Sequence, residues 1–236
     1  MPALFSDVDG TILGDDALLV ELRDALEPSD LTLVLNSSRP VVSLLGSLRD
    51  IPDMPRPRHI IGAMGTQVAH ADGTLINDFN DVFAGWSRNP FDALADELGL
   101  VAHDAKYQTP LKASFDIPPG MSFDEVRTTV EQRGLDAKLV HSGGDDVDFL
   151  PRGAGKLTAI GFLCVRLGLT PRNGDVAVAG DSGNDIDMFD APLRGIVVAN
   201  AEPALKQAAP AGEFVYHAQR PMAGGVLDGL RHWGLL

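Results

Sequence analysis

Asp7 and Asp9 stand one residue apart in the stretch FSDVDGTILGD, residues 5–15, behind a short apolar lead-in. Like charges at that spacing repel, and the end of a buried strand is a costly place for either. A second acidic run, GDSGND, places Asp181 and Asp185 behind the apolar DVAVA. Ser37, Ser38 and Arg39 follow LTLVLN, and Lys156 follows Gly153, Ala154 and Gly155. Carboxylates, hydroxyls and one ammonium at strand ends are the parts of a phosphoryl-transfer site. A carboxylate can attack phosphorus and carry it as an aspartyl phosphate. What remains is positioning, and neutralising charge on the phosphoryl oxygens. Four converging carboxylates require a cation, and an all-oxygen donor set suits Mg²⁺. Of Asp7 and Asp9, one attacks in line; the other protonates the leaving oxygen and then activates water.

These side chains meet only if their strands lie in one sheet. Residues 3–6, 31–35, 59–65, 175–180, 195–200 and 214–217 read as short buried strands. Helical patterns over 15–27, 40–48, 156–167, 203–208 and 225–232 alternate with them, and 66–78 reads as a hairpin turning at Asp72-Gly73. The alternation predicts an α/β fold, a doubly wound parallel sheet of Rossmann-like kind, which binds ligands beyond the carboxyl ends of its strands. From residue 83 the order is mixed: a helix ending at Gly99, the strand LKASFDI, the helix FDEVRTTVEQRG, and the strands AKLVH and DVDFLP. The expected organisation is a discontinuous core domain, 1–82 and 151–236, with an inserted α+β cap domain, 83–150, that sets substrate specificity.

Composition narrows the partners. The chain has 236 residues, and 44% hydrophobic content is that of a folded globular protein. With 33 acidic against 19 basic residues the net charge is −14, which argues against nucleic acid or an anionic membrane as partner. The single cysteine, Cys164, excludes an intramolecular disulfide and suits a reducing cytoplasm. The sequence contains no apolar run of membrane-spanning length. A monomer is the expected state. The six histidines, His103 among them, show no metal-ligand spacing and read as structural or surface residues. Cys164 and Met188 read as core, and Trp86 and Phe91 as residues packing the first cap helix.

The chain resembles the haloacid-dehalogenase-type phosphatases with a large cap inserted after the third core strand. DVDGT matches their nucleophile motif, NSSR their hydroxyl motif, Lys156 their lysine and GDSGND their acidic metal motif. The resemblance implies Asp7 as nucleophile, Asp9 as acid/base, and catalytic roles for Ser37 and Lys156. It implies metal ligation by the Asp7 side chain, the Asp9 carbonyl and Asp181, with Asp185 close by or acting through water. Asn184 would then help hold the phosphate or the loop; Ser38 and Arg39 are candidate substrate-side residues, with Arg39 reading equally as a surface arginine or as one that orients the strand-end loop. DVDGTILGDDALL, GAMGTQV, SGGDDVDFLP, AGDSGNDIDMF and GIVVANAEPALK are similar to the sucrose-phosphate phosphatases and the related mannosylfructose-phosphate phosphatases. Ser37-Ser38 replaces a usual Thr-Gly pair, Gln67 a common Glu, and Leu157 a frequent glycine.

Outside the motifs, Lys112 is a charge within an apolar strand, a position that often faces water; the resemblance places it on the cap surface that contacts sugar. Ser142, Gly143, Asp146 and Asp148 read either as a hairpin turn with polar strand positions or as a sugar-reading edge. The leading expectation is a Mg²⁺-dependent phosphomonoesterase acting on a sugar phosphate, foremost a disaccharide phosphate such as sucrose 6-phosphate. Related substrates are mannosylfructose, glucosylglycerate and mannosylglycerate phosphates. The alternatives are a hexose-phosphate mutase and a non-catalytic sugar-phosphate-binding subunit of a sugar-phosphate synthase; a synthase is the one protein partner expected.

Overall fold

The computed structural model describes residues 2–141, 144–171 and 174–236. Strand β1 (Ala3–Ser6) leads to α1 (Asp16–Leu26), and β2 (Thr32–Asn36) to α2 (Val41–Asp50). Strand β3 (His59–Gly62) is followed by β4 (Gln67–His70), α3 (Asn77–Asn80) and α4 (Asn89–Leu98). Next come β5 (Val101–Ala102), β6 (Ala113–Asp116), α5 (Phe123–Gln132), β7 (Lys138–His141) and β8 (Asp146–Leu150). Helix α6 (Lys156–Leu167), β9 (Val176–Gly180), β10 (Arg194–Val197), α7 (Pro203–Ala208), β11 (Val215–His217) and α8 (Met222–His232) complete the order.

Seven strands form one sheet in the order β11-β10-β9-β1-β2-β3-β4, parallel throughout except for β4. Successive strands wind outward from β1 on one side and from β9 on the other. The winding reverses between these two neighbours, which opens a crevice at their carboxyl ends. Asp7 and Asp9 leave β1 there, and Asp181 leaves β9.

The apolar runs of these strands are unbroken because both faces are covered. In β1, Leu4 packs with Leu19, Leu22, Leu44 and Leu230 beneath α1, α2 and α8. Ala3 and Phe5 pack with Ile160, Leu163, Cys164 and Met188 on the opposite face. In β2, Leu33 and Leu35 join the first cluster and Val34 the second. The α/β doubly wound expectation holds, and Cys164 and Met188 lie in the core. The inserted segment does not follow β3 directly. The chain first doubles back as antiparallel β4, turns at Asp72-Gly73, and bridges Ala69 to Leu75.

Four antiparallel strands, in the order β5-β6-β8-β7, form a second sheet. Side chains alternate across it. Ala113, Phe115, Val147 and Phe149 pack with Phe91, Leu94, Val126 and Val130 under α4 and α5. Trp86 stacks on Phe91 at 5.3 Å, the packing role expected of both. The intervening Ser114, Asp116, Asp146 and Asp148 occupy the opposite face, with Ser114 paired to Asp148 and Asp116 to Asp146. Lys138 of β7 reaches the turn after β9, its Nζ 3.1 Å from Asp187 Oδ2, and ties the second sheet to the first. Among the described residues, no helix is long and apolar enough to cross a membrane.

Candidate active site

Asp7 follows β1, is 4% exposed, and donates its backbone N–H to Ala179 O at 2.9 Å. Lys156 opens α6 with no exposed surface, and its Nζ donates to Asp7 Oδ1 at 2.8 Å and to Asp185 Oδ1 at 2.5 Å. The turn after β3 sets this lysine's backbone. Ala63 and Met64 take positive φ there, at 50° and 58°, a strained conformation for side-chain-bearing residues. Gly65, at φ 77°, lies so close that a Cβ would overlap the Gly155 carbonyl. The GAMG stretch is a wedge beneath the start of α6.

Asp181 enters the same pocket from β9. Thr11 Oγ1 donates to its Oδ1 at 3.0 Å, and a Cβ on Gly10 (φ 83°) would overlap its carboxylate. Asn200 Nδ2 donates to Gly10 O at 2.8 Å and steadies that turn. Asp185 is fully buried; its Oδ2 accepts from the backbone N–H groups of Asp181 (2.9 Å) and Ser182 (3.1 Å), while Oδ1 faces Lys156. Both oxygens of Asp185 thus organise the loop and the lysine.

Asp7, Asp181 and Asp185 each offer a carboxylate oxygen within 4.8 Å of the others. Three carboxylates against the Lys156 ammonium leave this pocket two charges negative. Burial, then Asp185 and Asp181, hold the Asp7 carboxyl well above its ordinary range despite Lys156. Burial and Asp185 push Asp181 up to about 6, against Thr11 and Lys156. Burial favours the neutral amine of Lys156, but Asp185 and Asp7 outweigh it and hold the ammonium above the ordinary lysine range. A divalent ion on oxygen donors is the charge that would offset this excess and favour the ionised form of both aspartates. The donor set fits Mg²⁺.

Ser37, at the end of β2, is 1% exposed, and its Oγ accepts from Arg39 N at 3.2 Å. Arg39 bends back over α2 and reaches Asp9, with Nη1 3.1 Å from Asp9 Oδ1. Asp9 itself is exposed and lies at the pocket mouth. Above it, Ser38, Arg39, His103, Tyr107, Lys112, Asp146 and Asp148 line a cavity of about 220 Å³ between the two sheets. Lys112 is buried there, its Nζ 2.7 Å from Ser114 Oγ and 3.1 Å from Asp148 Oδ1, and Ser114 Oγ donates to Asp148 Oδ1 at 2.5 Å.

The chain has relatives among known proteins. The family model described as sucrose-6F-phosphate phosphohydrolase matches residues 2–234. The chain belongs to this family. It is a sugar phosphatase, a phosphoric monoester hydrolase. It is 33% identical to the mannosylfructose-phosphate phosphatase of Agrobacterium fabrum, over 98% of this chain and 96% of that one. Sucrose-phosphatase 2 of Nicotiana tabacum is 32% identical over 98% of this chain, which spans 59% of the tobacco protein. The crystal structure of the sucrose-phosphatase from Synechocystis sp. PCC6803, in complex with sucrose and phosphate, superposes with a TM-score of 0.90 at 28% identity, covering 99% of this chain and 98% of that one. A haloacid-dehalogenase (HAD) subclass IIB sugar phosphatase shares the fold, with a TM-score of 0.71, 16% identity and full coverage of both chains.

In this family member the structure gathers Asp7, Asp181, Asp185 and Lys156 into one cluster; the expected fourth carboxylate, Asp9, instead turns to the exposed mouth and pairs with Arg39, while Ser37 is buried just after β2. It collects Ser38, Lys112, Asp146 and Asp148 around the cavity. Lys112 does not face water, because the serine and aspartate beside it satisfy a buried ammonium. Ser142 and Gly143 lie outside the described residues. Asn184 sits in the turn with Asp185, its side-chain oxygen buried without a described partner. Among the histidines, His103 Nε2 lies 2.9 Å from Asp116 Oδ1 and 3.5 Å from Asp146 Oδ1, a polar pairing at the cavity rim. Sequence spacing could not reveal it, because His103 comes from the β5–β6 connection and its partners from paired positions on β6 and β8. Thr11 and Glu202 were also missed as site residues. Glu202 accepts from Gly183 N at 3.2 Å and donates its own N–H to Asp181 O at 2.7 Å. Thr11 is visible inside DVDGT and Glu202 inside GIVVANAEPALK, but neither stretch marks them as contacts of the Asp181 loop.

Proposed function

We propose that this phosphatase hydrolyses the phosphomonoester of a neutral disaccharide, sucrose 6-phosphate or mannosylfructose phosphate, through an aspartyl phosphate on Asp7. The observation that carries the reading is the buried lysine held between Asp7 and Asp185, with Asp181 beside them and Asp9 free of the cluster at its mouth. Asp7, Asp181 and the Asp9 carbonyl would hold the Mg²⁺, with Asp185 behind them fixing the loop. When bound, the ion neutralises phosphoryl charge and keeps the nucleophile ionised.

In the first step an Asp7 oxygen bonds to phosphorus, the bond to the leaving oxygen breaks, and that oxygen takes a proton from Asp9. In the second, Asp9 takes a proton from water as the water oxygen attacks phosphorus, and the bond to Asp7 breaks. Lys156 and Ser37 stabilise phosphoryl oxygens throughout. A sugar alkoxide is a poor leaving group, so the proton from Asp9 is needed for the substrate to react.

The cavity supports a neutral sugar. Its cations are already paired, Lys112 with Asp148 and Arg39 with Asp9. A glycerate carboxylate would find no uncompensated charge among the described lining residues, whereas sugar hydroxyls match the exposed donors and acceptors. A phosphorylated sugar as substrate also suits a cytoplasmic protein working after a sugar-phosphate synthase.

Phosphate release from sucrose 6-phosphate, mannosylfructose phosphate, glucosylglycerate phosphate and monosaccharide phosphates, each with and without Mg²⁺, tests the reading. A neutral disaccharide phosphate should lead by at least tenfold in kcat/KM, and Asp7→Asn should be inactive yet folded. Isomerised sugar phosphate without free phosphate would instead identify a mutase.

A further inference from the structure

The Arg39–Asp9 contact is built rather than incidental. Arg39 leaves the end of β2 and lies along the first turns of α2. Its Nε donates to Ser43 Oγ at 3.0 Å, and its Nη2 donates to Ser43 O at 3.1 Å and Ser47 Oγ at 2.8 Å. Ser43 and Ser47 are four residues apart and share one face of that helix. With Nε and Nη2 fixed, the planar guanidinium has one direction left for Nη1, and it meets Asp9 Oδ1 at 3.1 Å. The Arg39 side chain is 22% exposed while that of Asp9 is 54% exposed, so a half-exposed carboxylate is aimed by a better-anchored cation.

We infer that Arg39 is a positioning residue for proton transfer: it fixes the rotamer from which Asp9 delivers its proton to the leaving oxygen. A carboxyl at the end of two rotatable bonds in open solvent would otherwise sample several rotamers, and general-acid catalysis needs the donor within hydrogen-bond reach of one atom. Ser43 and Ser47 act one step further out, by holding the arginine. The inference rests on the proposed role of Asp9 as general acid.

The test exploits leaving-group basicity. Substituted phenyl phosphates from phenyl to p-nitrophenyl keep nearly constant shape while the need for a proton falls, and kcat/KM reports only the steps through cleavage of the ester. In Arg39→Met the loss should be roughly 10- to 100-fold for phenyl phosphate, a part of the roughly 100- to 10,000-fold that a positioned acid supplies. It should shrink to a fewfold for p-nitrophenyl phosphate. The double variant Ser43→Ala/Ser47→Ala should show the same tilt at smaller size, though neither serine lines the cavity. Asp9→Asn should tilt most, and adding Arg39→Met to it should cost little more, because the two act as one unit.

Equal losses across the series in Arg39→Met, with Asp9→Asn tilted, would overturn the positioning role and leave the acid in place. No tilt in Asp9→Asn would overturn the reading of Asp9 itself. A crystal structure of folded Arg39→Met gives a readout independent of turnover. An Asp9 carboxylate displaced or spread over several rotamers supports the inference, and one unmoved from its present rotamer refutes it.

Discussion

Lys156 Nζ donates to Asp7 Oδ1 across 2.8 Å, and neither side chain is more than 6% exposed. The pair joins the start of α6 to the end of β1, 149 residues earlier in the chain. Removing one partner of such a pair leaves a buried charge uncompensated and costs about 3–5 kcal/mol. Lys156→Met is therefore expected to lower the melting temperature and to cut turnover by roughly 100-fold or more, as when a transition-state donor is lost. Adding Asp185→Asn should recover part of the stability and none of the turnover. Thermal melts and phosphate release on the same preparations separate the two effects.

Mg²⁺ should stabilise the fold. An ion that binds only the native state adds about 2.7 kcal/mol when its free concentration is roughly a hundred times its dissociation constant. The melting temperature should rise with Mg²⁺ in the wild type. Asp181→Asn should lose that dependence and, without the ion, melt no lower than wild type, since it removes a half-buried like charge. A wild-type melt indifferent to Mg²⁺ would count against the ion site.

Lys112 and Asp148 are each about 5% exposed and lie 3.1 Å apart. Asp148→Asn weakens the pair while keeping its shape. It should lower kcat/KM for the sugar phosphate by about 10-fold or more, since a site built for hydroxyls loses most when its polar groups are mismatched. p-Nitrophenyl phosphate should be affected fewfold at most. Lys112→Met should destabilise the second sheet, and Lys112→Met with Asp148→Leu should restore stability without restoring sugar turnover.

Gly65→Ala would press a methyl into the Gly155 carbonyl at a positive φ. Either α6 shifts or the turn does, and Lys156 moves with the first. The expected outcome is a drop in kcat exceeding the rise in KM, with a melting temperature lowered by several degrees. A variant with wild-type kinetics would show that the wedge does not set the lysine.

Burial pushes the Cys164 thiol up to about 11. Only the thiolate reacts readily with alkylating reagents, and raising a thiol pKa makes it scarce at every lower pH. Iodoacetamide should leave the native protein unlabelled from pH 7 to pH 9. Labelling should appear as pH approaches about 11 or when denaturant unfolds the chain, read by intact mass.

Most of the core was legible because doubly buried strands leave unbroken apolar runs and the motifs sit at their ends. The convergence of Asp7, Asp181, Asp185 and Lys156 could be anticipated for that reason. The strand of LTLVL begins one residue late, and β5, two residues long, carries too little pattern to be seen. What the sequence could not carry was contact across the chain. Arg39 was recognised as a strand-end cation, but its grip on Asp9 depends on serines one helical turn apart and on a β1–β2 register. The pairing of His103 with Asp116 and Asp146 leaves no trace in sequence spacing because those carboxylates lie on other strands. The burial of Lys112 was hidden because a lysine in an alternating strand ordinarily faces solvent, and only the neighbouring Ser114 and Asp148 allow the reverse.

Residues 113, 115, 147 and 149 hold the second sheet to its helices, while 114, 116, 146 and 148 lie on its other side. Substitutions at the even-numbered positions can therefore alter this polar face, from which Asp146 and Asp148 line the cavity, while leaving the hydrophobic packing untouched. Because Asp116 and Asp146 are neighbours, as are Ser114 and Asp148, such changes must come in matched pairs. Altering this face without stranding a charge therefore takes two coordinated replacements on adjoining strands.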